Sequence, residues 1–340
     1  MKQDALLSIG AALFAALILI SNLHAQPLVT IDTVTVGDAG NAADTTGYGA
    51  VADVFAIGKY EVTIGQYTTF LNSVATVTSD SYIVDLWTGS MATDLNIAGI
   101  SRSGSGTLAD PYSYSAIGSG NRPITYVSWF DAARFANWVN NGATNGASTE
   151  TGAYTLNGAT NGIITKNAGA TWWIPSEDEW YKAAYYKGGG TSAGYWVYPT
   201  QSDSAPGNNI GGAANQANYY AGDYAVTQSP DYSSTQNYLT DGGAFSNSAS
   251  AYGTFDQGGN VWEWNDAVIG SSRGRRGGSW SDGVAFFLQS ATRGSLDPAS
   301  EVGNVGFRVA SVPEPSTYAL VLMAGAGWLV WRRRRSLNRS

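Results

Sequence analysis

The run from Asp256 to Trp264 is the stretch of this chain whose residue types could do chemistry. It reads Asp-Gln-Gly-Gly-Asn-Val-Trp-Glu-Trp. In a strand, Trp262 and Trp264 would point to one face and Glu263 to the other. A fixed carboxylate beside a turn rich in backbone carbonyls suits a hard cation such as calcium. The alternative is that Glu263 only faces solvent, and the run alone does not decide between the two.

Acid–base catalysis by paired carboxylates, as in glycoside hydrolysis, is a second possibility. Asp178 and Glu179 follow Ser176 at the predicted start of a helix, where acidic residues stabilise the helix dipole, so a structural role is favoured for both. The chain has no cysteine, and its one histidine is His24. A mature chain without either residue cannot build the usual iron, copper or catalytic zinc site, nor a Ser-His-Asp triad.

The two ends of the chain predict export. Residues 1–25 combine Lys2, an apolar stretch over 5–20 and a Leu-His-Ala cleavage site, which predicts a signal peptide. An N-terminal membrane anchor is the alternative, but the apolar run is short for a span. Near the other end, residues 318–331 are apolar and four arginines follow. As a helix these residues would rise about 21 Å, less than the hydrocarbon core of about 30 Å, so they predict a short transmembrane segment.

The C-terminal tail resembles the PEP-CTERM sorting signal of Gram-negative bacteria. Pro313-Glu314-Pro315, the short apolar span and the arginines at 332–335 occur in the order of that signal. The resemblance covers residues 312–336. It implies cleavage by an exosortase-type membrane protease and delivery to the outer surface or extracellular matrix, with membrane contact only through the sorting segment. A plain C-terminal membrane anchor is the alternative.

Charge and composition narrow the classes of partner and fold. Leaving out Lys2, Asp4 and the five arginines from position 332 onward, 12 basic and 25 acidic residues remain, a net charge of about −13. Such a surface repels phosphate polymers, so no nucleic-acid partner is expected. The 42 glycines predict a loop-rich fold, and the lack of cysteine excludes a disulfide framework.

Three capping-box patterns predict three helices, which are separated by loop-like segments. Each pairs a serine or threonine with an acidic or amide residue three positions later, ahead of apolar residues at helical spacing. They begin at Thr63, Ser128 and Ser176. Between them, residues 79–121, 140–169 and 188–251 are rich in Gly, Asn, Ser and Thr, and they predict long ordered loops with small hairpins.

Six ordered motifs are similar to those of the formylglycine-generating enzyme, or sulfatase-modifying factor, domain family. They lie at 55–71, 122–132, 174–180, 259–264, 276–293 and 304–308. The resemblance covers about residues 28–311. It implies an α+β fold of the C-type-lectin-like kind, loop-rich with little regular secondary structure.

The same resemblance implies two calcium sites. One family site matches Asp256, Gly259, Val261 and Glu263, where carboxylates at both ends flank two backbone carbonyls. The second matches Asn218 and Tyr219 and continues at Asp231, across a variable loop. Calcium is therefore the expected cofactor. The alternative is that hydrogen bonds alone hold these loops.

The catalytic residues of the family do not carry over. In the enzyme, two cysteines after the Gly-Gly-Ser-aromatic motif bind copper(I) and the substrate thiol. The matching positions here hold Asp282 and Ala285. Neither side chain can hold copper(I) or form a mixed disulfide, and no histidine remains for iron, so neither copper nor iron is expected.

The sequence therefore predicts an exported, non-catalytic member of this fold at the cell surface or in the matrix of a Gram-negative bacterium. Its 12 tryptophans and 20 tyrosines could line a groove for a glycan or a peptide, because aromatic faces stack on sugars and apolar side chains. One alternative is an oxidase or protein-modifying enzyme with an unrecognised site. Another is a purely structural surface protein.

Overall fold

A computed structural model describes residues 26–77 and 86–313. The predicted signal peptide, the apolar segment 318–331 and most of the sorting tail lie outside these residues. Helices α1 to α4 span Ile64–Val74, Ser90–Thr93, Trp129–Asn140 and Glu177–Tyr185. Strands β1 to β5 span Thr33–Val36, Phe55–Gly58, Ile100–Ser103, Ser113–Ala116 and Trp172–Trp173. Strands β6 to β10 span Trp262–Ile269, Ser272–Arg276, Gly294–Leu296, Val305–Phe307 and Ala310–Ser311.

All three predicted capping boxes begin helices. Ser128 Oγ accepts from the backbone N–H of Asp131 at the start of α3, and the Asp131 carboxylate accepts from the Ser128 N–H. Thr63 caps α1 and Ser176 caps α4 in the same reciprocal way. Each box satisfies N–H groups that a helix start otherwise leaves unpaired, which is why so local a pattern fixes these boundaries.

Strands from both ends of the domain share sheets. One sheet has the order β1-β2-β10-β5, the second has the order β8-β7-β6-β9, and β3 with β4 forms a hairpin. Most neighbours are antiparallel, but β6 and β9 are parallel, with Trp264 opposite Phe307. Strand β10, at the end of the domain, thus pairs with β2 near its start.

Aromatic side chains fill the core between α1, α3 and β9. Phe70 and Phe135 meet edge to face with ring centroids 5.4 Å apart, and Phe135 meets Phe307 in the same way at 5.5 Å. Trp138 packs on both Phe70 and Phe135. Edge-to-face pairs of this kind add to the stabilisation that burial provides.

Long irregular segments complete the fold and confirm the α+β, loop-rich prediction. Between α4 and β6 the described chain forms isolated bridges rather than strands. Side chains supply hydrogen bonds to the main chain of this segment; for example, Asn218 Nδ2 donates to the carbonyl of Tyr238 at 2.9 Å. Within residues 26–77 and 86–313, no helix has the length and apolarity needed to cross a membrane.

Candidate functional site

Glu263 is buried in an ion pair with Arg308. Its Oε2 accepts from Arg308 Nε at 2.5 Å and its Oε1 from Arg308 Nη2 at 2.6 Å, and neither side chain is exposed to solvent. The indole of Trp180, on α4, donates to Oε2 at 2.7 Å. Glu263 therefore does not face solvent, and its carboxylate ties β6 to α4 and to the residue that follows β9.

Two further carboxylates lie near this pair. Glu61 Oε1 accepts from Asn260 Nδ2 at 3.2 Å, and Asp256 Oδ2 accepts from the Gly243 N–H at 2.6 Å. Burial raises the pKa of the Glu61 carboxyl well above its usual range. Burial also raises the pKa of Asp256, to about 6, against the lowering effects of the Gly243 N–H and of Arg308. Three carboxylates thus interact with a single arginine.

The first predicted calcium set does not form an open cation cage. The Glu263 oxygens are occupied by Arg308 and Trp180. The carbonyl-bearing members, Gly259 and Val261, lie in the buried turn before β6. Among the described residues, no group of three or more His, Cys, Asp or Glu side chains is placed to hold a metal ion. A calcium ion bound through Glu263 does not fit this arrangement, and calcium binding itself stays a prediction.

The second predicted set is divided between interior and surface. Asn218 is buried, and its Nδ2 donates to Asn260 Oδ1 at 3.0 Å as well as to the Tyr238 carbonyl. The Tyr219 hydroxyl donates to the Pro206 carbonyl at 2.5 Å. Asp231 is exposed, and its N–H donates to Ser229 Oγ. Asn218 here acts as a hydrogen-bonding centre for the loops around the turn before β6.

The turn where the family carries its cysteines is closed by Asp282. Asp282 Oδ2 accepts from both the N–H and the hydroxyl of Ser279, at 2.7 and 2.8 Å. Ala285 begins a 3₁₀ helix, Ala285–Leu288. Phe287 packs edge to face on Trp262 at 6.1 Å, whereas Phe286 is 55% exposed. The Asp282 side of this turn is half-exposed, and the exposed Phe286 does not fill it.

An aromatic cluster borders this turn, consisting of Tyr220, Tyr224, Tyr232, Tyr238 and Trp280. The rings of Tyr232, Tyr238 and Trp280 stack nearly parallel, with centroids 6.0 and 4.9 Å apart along the stack. Tyr224 is tilted against all three, and Tyr220 meets Tyr224 edge to face at 4.8 Å. The Tyr220 N–H donates to the Asp282 carbonyl. This bond joins the aromatic cluster to the degenerate turn, the turn from Ser279 to Ala285 in which the family's cysteine positions hold other residues.

The rim of the aromatic cluster is apolar and acidic. Tyr232 is 57% exposed, and its hydroxyl donates to Asn96, next to the exposed Leu95. Tyr126, with φ +57°, packs against the buried hydrophobic group that includes Tyr238 and Trp280, and its hydroxyl donates to Asp94 Oδ2 at 2.8 Å. A bulky residue in the left-handed region is strained, and such strain is concentrated at functional sites.

The acidic residues at the start of α4 have structural contacts, as the sequence predicts for Asp178 and Glu179. Glu177, the first residue of α4, accepts from Arg276 Nε at 2.7 Å and from Arg293 Nη2 at 2.6 Å. Glu179 completes a capping box, and Asp178 accepts from the Gly49 N–H. The aromatic cluster is the feature that sequence reasoning missed, although the density of tyrosines between 219 and 238 was a signal for it.

Comparison with known proteins identifies two regions. Residues 31–312 match the family described as Sulfatase-modifying factor enzyme 1-like domain, and residues 311–335 match the PEP-CTERM protein-sorting motif. No curated protein matches the chain. The sorting motif implies that the protein is exported and recognised by exosortase-type processing, with a transient membrane anchor.

Several solved structures are similar to the chain. The crystal structure of CarF is 21% identical with a TM-score of 0.48, over 84% of this chain and 99% of the other. Treponema denticola variable protein 1 is 17% identical with a TM-score of 0.46, over 85% and 98%. PvdO from Pseudomonas aeruginosa is 17% identical with a TM-score of 0.41, over 84% and 93%. Because its family match spans most of the sequence, the chain belongs to the sulfatase-modifying-factor family, and it carries a PEP-CTERM sorting motif at its C-terminal end.

Proposed function

We propose that this protein is a non-catalytic binding module, displayed at the cell surface or in the matrix, that binds a glycan at the aromatic cluster. The stack of Tyr232 on the buried Tyr238 and Trp280, with Tyr232 exposed at its end, carries the proposal. Sugar rings present C–H faces that pack on aromatic rings, and tyrosine hydroxyls around them supply hydrogen bonds. More than half of Tyr232 is open to solvent, so a ligand can reach the end of the stack.

The location of the aromatic cluster supports a binding role rather than a catalytic one. It borders the turn in which the enzyme family carries its two cysteines, and this turn holds Asp282 and Ala285. Aromatic rings thus border the turn, while the groups that perform copper chemistry in the family are replaced. Asp282 already accepts two hydrogen bonds from Ser279, which suits it to shape the turn.

Export follows from the sorting motif, and the finer destination belongs to the proposal. Exosortase-type cleavage near Pro313-Glu314-Pro315 would release the domain with its last described strand, β10, intact. A soluble domain with a net charge of about −13 resists self-association. We assign it to the outer surface or matrix of a Gram-negative cell, where glycans are abundant.

A glycan array tests the proposal. The full-length chain, kept in a detergent without a sugar headgroup, should bind a defined set of glycans. Tyr232→Ala should lower the binding by at least tenfold, because it removes the exposed end of the stack. Phe286→Ala is the matched control, since Phe286 is equally exposed but has no ring contact with the aromatic cluster. An array without hits, or equal binding by the wild type and Tyr232→Ala, would overturn the proposal.

The second candidate is an oxidase or protein-modifying enzyme of the same family that uses an unrecognised site. The family membership favours it. Metal analysis of the purified, tag-free protein separates the two candidates. Stoichiometric copper or iron would support the enzyme, and their absence together with glycan binding would support the binding module. Binding to a peptide library instead of the array would identify the ligand class as peptide.

A further inference from the structure

Arg275, on β7, has a guanidinium group to which no described residue offers a hydrogen-bond acceptor. The neighbouring arginines Arg273 and Arg276 each form an ion pair, at 2.7 Å in both cases. Within the described part of the chain, Arg275 forms no such pair and donates no hydrogen bond, and its Nε is buried. The guanidinium carbon lies 4.7 Å from the centre of the Trp262 ring. The guanidinium thus stacks over an aromatic ring, and the donor on its buried Nε has no acceptor among the described residues.

This arrangement is unfavourable in the free protein. A buried guanidinium nitrogen that gives up water without gaining an acceptor, as Nε of Arg275 does, destabilises the fold. Burial lowers the pKa of Arg275, and the negative charge of Asp282 opposes that effect. Stacking on Trp262 recovers part of the loss, since a cation over an indole is attracted to the ring face. The remaining cost is explained if a ligand supplies the missing acceptor.

Asp282 provides the complementary group. Its Oδ2 accepts from Ser279, while no described residue donates to its other oxygen. Asp282 is only half-buried, and its negative charge acts on Arg275 without an ion pair between them. One side of the degenerate turn therefore carries unused donors on Arg275 and an unused acceptor on Asp282.

We propose that Arg275 and Asp282 bind hydroxyl groups of a neutral saccharide. Arg275 donates to hydroxyl oxygens of the sugar, and the free oxygen of Asp282 accepts from a sugar hydroxyl. The two charges balance each other, so a neutral ligand leaves no charge unpaired. An acidic sugar would bring its carboxylate close to Asp282 and into the field of a strongly acidic domain.

The inference rests on the proposed function and specifies its ligand class. The aromatic cluster would give stacking, and the Arg275–Asp282 pair would select for uncharged, hydroxyl-bearing sugars. The Tyr220 N–H bonded to the Asp282 carbonyl connects the two parts of the site. A glycan that bridges them would contact Tyr232 at one side and Arg275 at the other.

Side-chain NMR of the full-length chain tests the pair directly. The probes are glucose, galactose and mannose, with glucuronic and galacturonic acids for comparison. A neutral sugar should shift the Nε–Hε resonance of Arg275, which is assigned by its loss in Arg275→Met. Arg275→Met and Asp282→Asn should each weaken the binding of that sugar at least tenfold, and the uronic acids should bind at least tenfold more weakly. Asn at 282 keeps an acceptor for Ser279 and removes only the free one.

Lys187→Met is the matched control, because Lys187 also holds its cation over a tryptophan, 4.2 Å from the Trp196 ring. It should leave binding unchanged, and melting temperatures no lower than that of the wild type would show that all three variants fold. If Tyr232→Ala abolishes sugar binding but Arg275→Met and Asp282→Asn do not weaken it, this inference fails and the proposed function stands. If sugars shift Arg275 but Tyr232→Ala has no effect, the proposed function fails instead. No shift of the Arg275 resonance with any sugar overturns the inference.

Discussion

At the scale of single residues, the contacts of Glu263 explain why the motif at 259–264 indicates the family but not a catalytic activity. Both carboxylate oxygens of Glu263 accept hydrogen bonds from Arg308, and one of them also accepts from the indole of Trp180. A carboxylate buried in this way is retained because its partners would otherwise be left unpaired in the interior. The motif that identifies the family therefore acts as a structural joint between β6, α4 and the end of β9.

The variant Arg308→Met should destabilise the domain more than Glu263→Gln does. Arg308 opposes three carboxylates, since Glu61 and Asp256 also interact with it, whereas Glu263 opposes Arg308 alone. We expect a loss of about 3–5 kcal/mol for Arg308→Met, as for other broken buried pairs. Urea unfolding at neutral pH measures both variants, with Arg275→Met as an arginine control. A larger loss for Glu263→Gln would contradict this account.

At the scale of elements, the turn before β6 has to hold its backbone against another loop. Gly259 has φ +82°, and a Cβ added there would lie 2.2 Å from the Asn218 carbonyl oxygen. The Asn260 N–H donates to that same carbonyl at 2.7 Å. The close approach fixes where β6 begins, and with it the positions of Trp262 and Glu263.

Gly259→Ala should therefore destabilise the domain by roughly 3 kcal/mol, because it combines a left-handed backbone with a main-chain clash. Gly283→Ala is the matched control, since a Cβ at that position meets nothing within 4 Å. The control should change the free energy of unfolding by less than about 1 kcal/mol. Equal stability of the two variants in thermal unfolding would contradict the prediction, because the loop around Asn218 would then move to accommodate the added Cβ.

Elements also show which parts of the fold a sequence can predict. The helix starts at Thr63, Ser128 and Ser176 were predictable because a capping box is complete within four residues. The parallel pairing of β6 with β9 joins residues about 40 positions apart and leaves no local pattern. The six ordered motifs predicted the fold because they summarise such distant pairings for a whole family.

The candidate site was less predictable for the same physical reason. Asp282 and Ala285 were located by their spacing from a motif. The stack of Tyr232 on Tyr238 and Trp280 depends on two separate loops meeting in space. The free donors of Arg275 could not be predicted either, because its sequence neighbours Arg273 and Arg276 both have carboxylate partners.

At the scale of the whole molecule, the exported domain is acidic, and the chain has no cysteine that could be oxidised outside the cell. Its stability must come from the aromatic core, from buried ion pairs and from side chains that satisfy long loops. Two arginine–carboxylate anchors, at Glu177 and Glu263, hold α4 against β6, β7 and the segments that follow. Arg308 thus places a positive charge among the same carboxylates for which the sequence predicts calcium.

Calcium removal tests the predicted metal site, and the ion pair between Glu263 and Arg308 leads us to expect an unchanged melting temperature of the full-length chain. A calcium ion bound through Asp256 and Glu263 would have to displace Arg308, whose guanidinium already neutralises Glu263. Binding only to the folded state would stabilise it by about 2.7 kcal/mol at calcium one hundredfold above the dissociation constant, a shift that calorimetry detects easily. Scans with excess chelator and with millimolar calcium make the comparison, and magnesium controls for ionic strength. A rise in melting temperature that is specific to calcium and lost in Asp256→Asn would restore the metal site and assign Arg308 to an alternative, metal-free state.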